Sequence, residues 1–228
     1  MYKFVFVHLP KTGGTTLHAA LRRAVGKDAV SPNFIASKLS DQDALELDKY
    51  TVISGHISII DVRRYFPDRK ILTILREPLD RCVSWYYFAR AMRPAIGAAT
   101  DVFVAQTYGI EEFFNQDLHL IYRNIFNRQV RQLGNHVLNF DLSYAEALEN
   151  AKQTLRSAAW VGRQETLDTD IADLATIVPN AESAYLQIEN RTEGRKGMNE
   201  LSSNVINRIS SLNEYDVALY KFACEEIF

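Results

Sequence analysis

Short apolar segments that lead straight into helical segments are the feature that most constrains the fold of this chain. Tyr2–Val7, Tyr50–His56 and Lys70–Leu75 are short and rich in aromatic and β-branched residues, as buried strands are. Helical patterns follow the first and the third of them, after Gly14 and from Pro78. Because alternating strands and helices are typical of a parallel sheet, the sequence predicts an α/β fold with a central parallel sheet flanked by helices.

The second half of the chain is predicted to be mostly helical. Ile110–Leu133 has a helical pattern, and Ser143–Glu146 is a capping box that opens another helix. One more buried strand is predicted at Ala158–Gly162, and the tail is helical from Ser203. No repeat, low-complexity segment or clear linker interrupts the chain, so we expect one domain over residues 1–228.

The composition is that of an ordinary globular chain. Of its 228 residues, 47% are hydrophobic and 24% charged, and the formal net charge of −2 argues against a general nucleic-acid-binding protein. Cys82 and Cys224 form neither a disulfide framework nor a zinc spacing. The sequence has no signal-peptide core and no apolar run long enough to cross a membrane. We therefore expect no transmembrane segment and a cytoplasmic location.

The segment "HLPKTGGTTL" joins the first strand to the first helix and carries the residues of an anion site. A helix N-terminus offers unpaired N–H groups and partial positive charge, which suit an anion. Glycines let the backbone approach the anion, threonines add hydroxyl donors and the lysine adds a charge. The candidates are Lys11, Thr12, Gly13, Gly14, Thr15 and Thr16. The alternative is a capped turn with an incidental lysine.

This loop differs from the phosphate loop of nucleoside triphosphatases. In that motif, G-x-x-x-x-G-K-[ST], the lysine follows the last glycine, whereas Lys11 precedes Gly13 and Gly14. Such proteins also hold magnesium with an aspartate at a strand end, and the third strand here ends in Arg76. The pattern therefore favours an anion site that needs no metal.

A second basic motif, "REPLDRCVSWYY", follows the third strand. Arg76 stands at the carboxyl end of that strand, where open α/β sheets bind ligands. Arg81 and Ser84 are three residues apart on the following helix and share a face. Guanidinium forks and a hydroxyl suit a phosphate monoester. The alternative is a surface salt bridge between Arg81 and Glu77 or Asp80.

Together the two motifs resemble those of sulfotransferases that use 3′-phosphoadenosine 5′-phosphosulfate (PAPS). The first is similar to their 5′-phosphosulfate loop, and the second matches R-x-P-x-x-R-x-x-S-x-Y in register. Within this superfamily the chain resembles the heparan sulfate 2-O-sulfotransferase branch and its bacterial relatives, more loosely at "NRQVRQLG" and "VGRQETLDTDI". The resemblance implies a P-loop-like three-layer fold, PAPS as donor, and transfer of a sulfuryl group to a hydroxyl.

The resemblance also implies roles for single residues. Residues 11–16 would hold the 5′-phosphosulfate, and Lys11 would in addition stabilise the leaving phosphate. Arg76 and Ser84 would hold the 3′-phosphate, with Arg81 nearby. The segment "GRKG" resembles the late basic loop of this superfamily, which makes Arg195 and Lys196 further candidates for the 3′-phosphate. A solvated charge pair on a loop is the alternative for these two residues.

His56 is the candidate general base. It stands just past the second strand, at the sheet edge that carries the anion loop, and matches the catalytic histidine of the 2-O-sulfotransferase branch. A neutral imidazole suits removal of a proton from an alcohol near physiological pH. The expected acceptor is a hydroxyl of a carbohydrate or glycoconjugate.

Two other functions remain open from the sequence. One is a magnesium-dependent small-molecule kinase with a P-loop, which requires an acidic residue to hold the metal. The other is a non-catalytic module that binds PAPS or its product, 3′-phosphoadenosine 5′-phosphate (PAP). A preference for PAP or for ATP with magnesium separates the first of these from a sulfotransferase.

Overall fold

The computed structural model describes residues 3–35, 38–93, 99–136, 141–181 and 194–228. Within them the strands form a parallel five-stranded sheet in the order β2-β3-β1-β4-β5. The strands are β1 (Phe4–Val7), β2 (Phe34–Ile35), β3 (Val52–His56), β4 (Lys70–Leu75) and β5 (Trp160–Arg163). The prediction of an α/β fold with a central parallel sheet is confirmed.

The helices described lie between and after these strands. In the first half they are α1 (Gly14–Val25), α2 (Asp41–Asp48), α3 (Ile59–Tyr65), α4 (Pro78–Ala91) and α5 (Thr100–Thr107). The second half contains α6 (Ile110–Phe114), α7 (Leu118–Ile121), α8 (Arg128–Leu133), α9 (Tyr144–Ser157), α10 (Leu167–Ala175), α11 (Ser203–Leu212) and α12 (Glu214–Glu226). No described helix is both long enough and apolar enough to cross a membrane.

The central strand β1 is buried on both faces of the sheet. Val5 and Val7 point into one apolar cluster, to which α3, α8, α9 and α12 contribute, and Phe4 and Phe6 point into another, which includes α1 and α10. All four side chains are at most 2% exposed. The alternation arises because successive side chains of a strand point to opposite faces, and it accounts for the continuous apolar run of the sequence.

A third apolar cluster joins the helices that follow the sheet. It contains residues of α4, α5, α6, α7 and α11, with Trp85, Phe113 and Phe114 among its buried rings. This cluster fixes α4, which carries most of the second basic motif.

The local structure differs from the sequence predictions in several places, and Ile59–Tyr65 and Thr100–Thr107 are helices that were not predicted. Phe34–Ile35 and Asp41–Asp48 were not predicted, because the first is only a two-residue edge strand and the second buries little apolar surface. The helix predicted over Ile110–Leu133 is three short helices, with Asn127 at a φ of 41° before the last. The C-terminal helix is divided at Asn213, whose side chain accepts an N–H of Asn127. Tyr2, predicted to begin the first strand, lies outside the described residues.

Candidate active site

One cavity of about 940 Å³ lies at the carboxyl ends of β1, β3 and β4. Parallel strands bring their carboxyl ends to a common edge, where ligands of open α/β sheets bind. The cavity collects charged and hydroxyl side chains from the beginning, middle and end of the chain. Among the residues that line it are Lys11, Gly13, Gly14, Thr15, Thr16, His56, Arg76, Ser84, Arg195 and Lys196.

The loop after β1 exposes its backbone to this cavity. Gly13 has a φ of 85°, a left-handed conformation that favours glycine, and stands just before α1. No side-chain hydrogen bond among the described residues caps α1, so the N–H groups of Gly14 and Thr15 are available to an anion. Thr12 differs from its neighbours, because its side chain is buried and its hydroxyl donates to the Leu9 carbonyl.

Gly14 leaves the space that His8 fills. A Cβ atom on Gly14 would lie 2.0 Å from Cδ2 of His8. The His8 ring is buried, and its Nδ1 lies 3.3 Å from Oδ1 of Asn33. Burial, together with the neighbouring His56, lowers the pKa of His8 to about 3, so the ring is neutral. The anion loop is therefore packed against an uncharged imidazole.

Lys11 extends its ammonium group into the cavity beside other cations. Its backbone has a φ of 67°, which is uncommon for a residue other than glycine, and its Nζ lies 4.0 Å from the centroid of the Phe88 ring. Burial, and then the charges of Arg76 and Arg195, lower the pKa of Lys11 to about 8. A bound anion would raise this pKa again, because an opposite charge favours the charged state.

Arg76 is held at the end of β4 by three partners. Its Nε and Nη2 donate to Oδ2 of Asp80 at 2.7 and 2.5 Å, and its Nη1 donates to the Lys11 carbonyl at 2.9 Å. The side-chain amide of Gln129 both accepts the N–H of Arg76 and donates to its carbonyl. The side chain is 9% exposed, and burial lowers its pKa to about 10. The guanidinium is thus fixed before any ligand enters.

Arg81 does not share this position. Its side chain is fully buried, and its Nη atoms donate to the carbonyls of Asn124 and Ile125 at 2.8 and 3.0 Å. It is absent from the cavity lining, whereas Ser84, on the same helix, lines the cavity. Arg81 therefore braces the segment after α7 and does not face the cavity; its expected place near the 3′-phosphate stays a prediction. The alternative salt bridge with Glu77 or Asp80 is not formed either.

The late basic segment reaches the cavity from the far end of the chain. Arg195 Nη2 forms an ion pair with Oδ1 of Asp80 and also contacts the Asp80 carbonyl oxygen at 3.4 Å. Lys196 is exposed and lines the same cavity. Burial, together with Arg76, lowers the pKa of Arg195 to about 10. Two arginines that are distant in sequence thus meet at one carboxylate.

His56 presents an unprotonated ring nitrogen to the cavity. Its Nδ1 lies 2.7 Å from the His8 carbonyl, and because a carbonyl only accepts, Nδ1 carries the proton and leaves Nε2 with the lone pair. Burial lowers the pKa of His56 below its usual 6.5. The ring stacks on His8 with centroids 4.2 Å apart. Gln132 donates to the same His8 carbonyl at 3.1 Å and to the Ile57 carbonyl at 3.0 Å.

Two arginines of the cavity were not recognised in the sequence. Arg128 begins α8, one turn before Gln132, and Arg123 lies on the preceding segment; both line the cavity. Arg128 Nη2 donates to Gln132 at 3.1 Å, but its buried Nε has no partner among the described residues. Burial and the neighbouring Arg131 lower the pKa of Arg128 to about 9. The segment "NRQVRQLG" contains this arginine, but nothing in its sequence shows that the side chain faces a cavity.

Acidic residues are sparse in this cavity. Glu165 and Asp168 line it, and the Glu165 carboxylate accepts the N–H of Glu77 and the hydroxyl of Tyr220. Among the residues that the structure describes, no group of three or more histidine, cysteine, aspartate or glutamate side chains could hold a metal ion. The expected independence from a metal stays a prediction.

The cavity above the parallel sheet contains several cations and an unprotonated imidazole nitrogen, which suits an α/β protein that binds an anionic ligand. Comparison with known protein families identifies the family. The chain belongs to the sulfotransferase family, whose family model matches residues 1–223.

Two curated proteins are similar to this chain. A uronyl 2-sulfotransferase homologue of Drosophila melanogaster is 25% identical over 269 residues, which cover 98% of this chain and 50% of that protein. A heparan sulfate 2-O-sulfotransferase of Caenorhabditis elegans is 28% identical over 102 residues, which cover 38% of this chain and 32% of that protein. The chain thus spans about half the length of the first relative and a third of the second.

Among solved structures, a sulfotransferase from Alicyclobacillus acidocaldarius is similar with a TM-score of 0.49 and 16% identity. The match covers 100% of this chain and 97% of that one.

Proposed function

We propose that this chain transfers the sulfuryl group of PAPS to a hydroxyl of an acidic saccharide. One observation carries the proposal: a single cavity contains an open helix N-terminus, a strand-end arginine, a second arginine from the late basic segment, and a histidine with a free ring nitrogen. Membership of the sulfotransferase family supports PAPS as the donor. The names of the two curated relatives support a saccharide acceptor.

The residues of the cavity fit the two charged ends of PAPS. The loop N–H groups, Lys11, Thr15 and Thr16 suit the 5′-phosphosulfate, since the loop and the start of α1 line the cavity. Arg76, Ser84, Arg195 and Lys196 suit the 3′-phosphate. Thr12 does not line the cavity, and its hydroxyl donates to the Leu9 carbonyl, so its proposed role is to shape the loop. Arg81 is not in this set.

His56 and Lys11 divide the chemistry between them. His56 Nε2 accepts the acceptor's hydroxyl proton while the acceptor oxygen forms its bond to sulfur and the bond from sulfur to the 5′-phosphate oxygen breaks. The negative charge that remains on that phosphate oxygen is stabilised by Lys11 and the loop N–H groups. The low pKa of His56 keeps the ring neutral at physiological pH, as a base must be.

The acceptor side of the cavity is cationic. Arg128 lies close enough to lower the pKa of His56, and it makes no ion pair among the described residues. A buried charge without a counter-ion is costly, so an anionic group of the ligand is its natural partner. Arg123, exposed at the same cavity, adds to the positive potential. A carboxylate on the acceptor sugar satisfies both arginines.

Titration calorimetry with PAP tests the donor assignment. We expect the protein to bind PAP without magnesium, and more tightly than it binds ATP with magnesium. A preference for ATP with magnesium would overturn the proposal in favour of a kinase. Tight PAP binding with no transfer from labelled PAPS to any glycan in a broad hydroxyl screen would favour a non-catalytic PAP-binding module.

Replacement of Arg128 by glutamine tests the acceptor assignment. The probes are a hyaluronan tetrasaccharide and its carboxyl-reduced form, titrated into the PAP-loaded protein. We expect the wild type to prefer the acidic form about tenfold or more, and Arg128→Gln to lose that preference while PAP affinity stays unchanged. Arg156→Gln is the matched control, since Arg156 pairs with Glu226 on the surface. An unchanged preference in Arg128→Gln would contradict the assignment.

A further inference from the structure

We propose that Asp80 is the positioning residue that assembles the site for the 3′-phosphate. In this role it holds Arg195, and with it the late basic segment, beside Arg76. The inference rests on the proposed function, since it concerns the same nucleotide, but it assigns a role to a side chain that lies outside the ligand-binding set. Asp80 is the only partner, among the described residues, that Arg76 and Arg195 share.

The two oxygens of one carboxylate serve different arginines. Oδ2 accepts Nε and Nη2 of Arg76, at 2.7 and 2.5 Å, and Oδ1 accepts Nη2 of Arg195. Arg195 also contacts the Asp80 backbone carbonyl at 3.4 Å. Asp80 itself is fixed at the start of α4, because the Glu77 carboxylate accepts the N–H groups of Leu79 and Asp80. The carboxylate is therefore a rigid reference point for both guanidinium groups.

The contact with Arg195 is more than a local helix pair. Arg76 and Asp80 are four residues apart, a common spacing for an ion pair. Arg195 comes from 115 residues further along the chain. Without the carboxylate, two guanidinium groups and the Lys11 ammonium would face one another in the same cavity, and like charges at this distance repel. Asp80 thus makes the approach of Arg195 to Arg76 favourable before a ligand is present.

The arrangement leaves donors for a phosphate. A guanidinium has five N–H groups, and the three contacts of Arg76 to Asp80 and to the Lys11 carbonyl use three of them. Arg195 has an Nε with no partner among the described residues. The two forks are therefore oriented by Asp80 and still able to donate to a phosphate monoester, which needs no displacement of the carboxylate.

The alternative is that the Asp80 carboxylate competes with the phosphate for the two arginines. In that case its removal would tighten binding of a nucleotide 3′-phosphate. The geometry favours positioning, because the donors left over on both arginines are enough for a ligand. The sign of the effect of Asp80→Asn separates the two readings.

The test compares PAP with AMP, which lacks the 3′-phosphate, by titration calorimetry on wild type and Asp80→Asn. We expect Asp80→Asn to weaken PAP binding about 10- to 100-fold, the loss typical of charge-assisted hydrogen bonds, and to change AMP binding about threefold at most. Asp168→Asn, which removes an exposed carboxylate from the same cavity, is the matched control and should leave the PAP-to-AMP ratio unchanged. Equal weakening of both nucleotides, or tighter PAP binding, would overturn the proposal.

A double-mutant cycle with Arg195→Gln checks that Asp80 acts through Arg195. We expect the loss of PAP affinity in the double variant to be clearly smaller than the product of the two single losses. Losses that multiply without coupling would count against the proposal. If Asp80→Asn does not fold, Asp80→Glu replaces it, because this variant keeps the charge and shifts it by one methylene. A loss of AMP affinity as large as the loss of PAP affinity in this variant would also contradict the proposal. A wild type that binds no PAP would reject the proposed function itself, which is a separate outcome.

Discussion

Replacement of His56 by glutamine is expected to lower kcat for sulfuryl transfer by about 10²- to 10⁴-fold while leaving the Kd for PAP within about twofold of wild type. Glutamine keeps much of the shape of the imidazole and an N–H for the His8 carbonyl, but it has no lone pair that takes a proton at neutral pH. The measurement is single-turnover transfer from labelled PAPS, with PAP affinity measured in parallel.

The pH profile of the wild type gives the same assignment an independent test. Because burial lowers the pKa of His56 below 6.5, we expect kcat/KM to fall only as the pH drops below that value, where the base becomes protonated. His119→Gln is the matched control, since His119 is exposed on α7. Full turnover in His56→Gln, or an acidic limb well above pH 6.5, would show that another group is the base.

The second large effect is expected for Gly14→Ala. The added Cβ would lie 2.0 Å from Cδ2 and 2.2 Å from Nε2 of His8, a distance that requires the ring or the loop to move. His8 is buried against Phe6 and His56, so the loop is expected to move. We expect loss of measurable PAP binding and destabilisation by about 1–3 kcal/mol, the usual cost of overpacking. Calorimetry and thermal unfolding measure the two effects.

Gly109→Ala separates this steric effect from the general effect of adding a methyl group to a helix start. Gly109 also precedes a helix, and a Cβ there would meet no atom closer than 3.6 Å. We expect this control to retain PAP binding and stability. PAP affinity near the wild-type value in Gly14→Ala would mean that the loop backbone does not approach the donor.

The sheet could be predicted because its signals are local and strong. Phe4–Val7 is a continuous apolar run and Lys70–Leu75 is nearly all apolar, a pattern typical of strands covered on both faces. Phe34–Ile35 could not be predicted, because two residues, one of them exposed, have no period to detect. The break at Asn127 was equally invisible, since its left-handed backbone depends on Asn213, 86 residues away.

Site residues next to a strand end could be located from the sequence. Residues whose side-chain direction depends on tertiary contacts could not. The anion loop and Arg76 could be located from their places at strand ends, and both line one cavity in the structure. Arg81 has the right spacing on α4, yet its helical face turns toward the carbonyls of Asn124 and Ile125. Arg128 was missed for the converse reason, since only the folded chain shows that no carboxylate accompanies it.

The position of His8 has a consequence for protein engineering. Its carbonyl accepts hydrogen bonds from both His56 and Gln132, and its ring packs against Gly14. The proposed base and the proposed donor loop both contact His8, so a substitution of His8 is expected to disturb both at once. Arg123 and Arg128 border the cavity from the helical half. Libraries that seek new acceptors should therefore vary these two positions and leave the histidine pair intact.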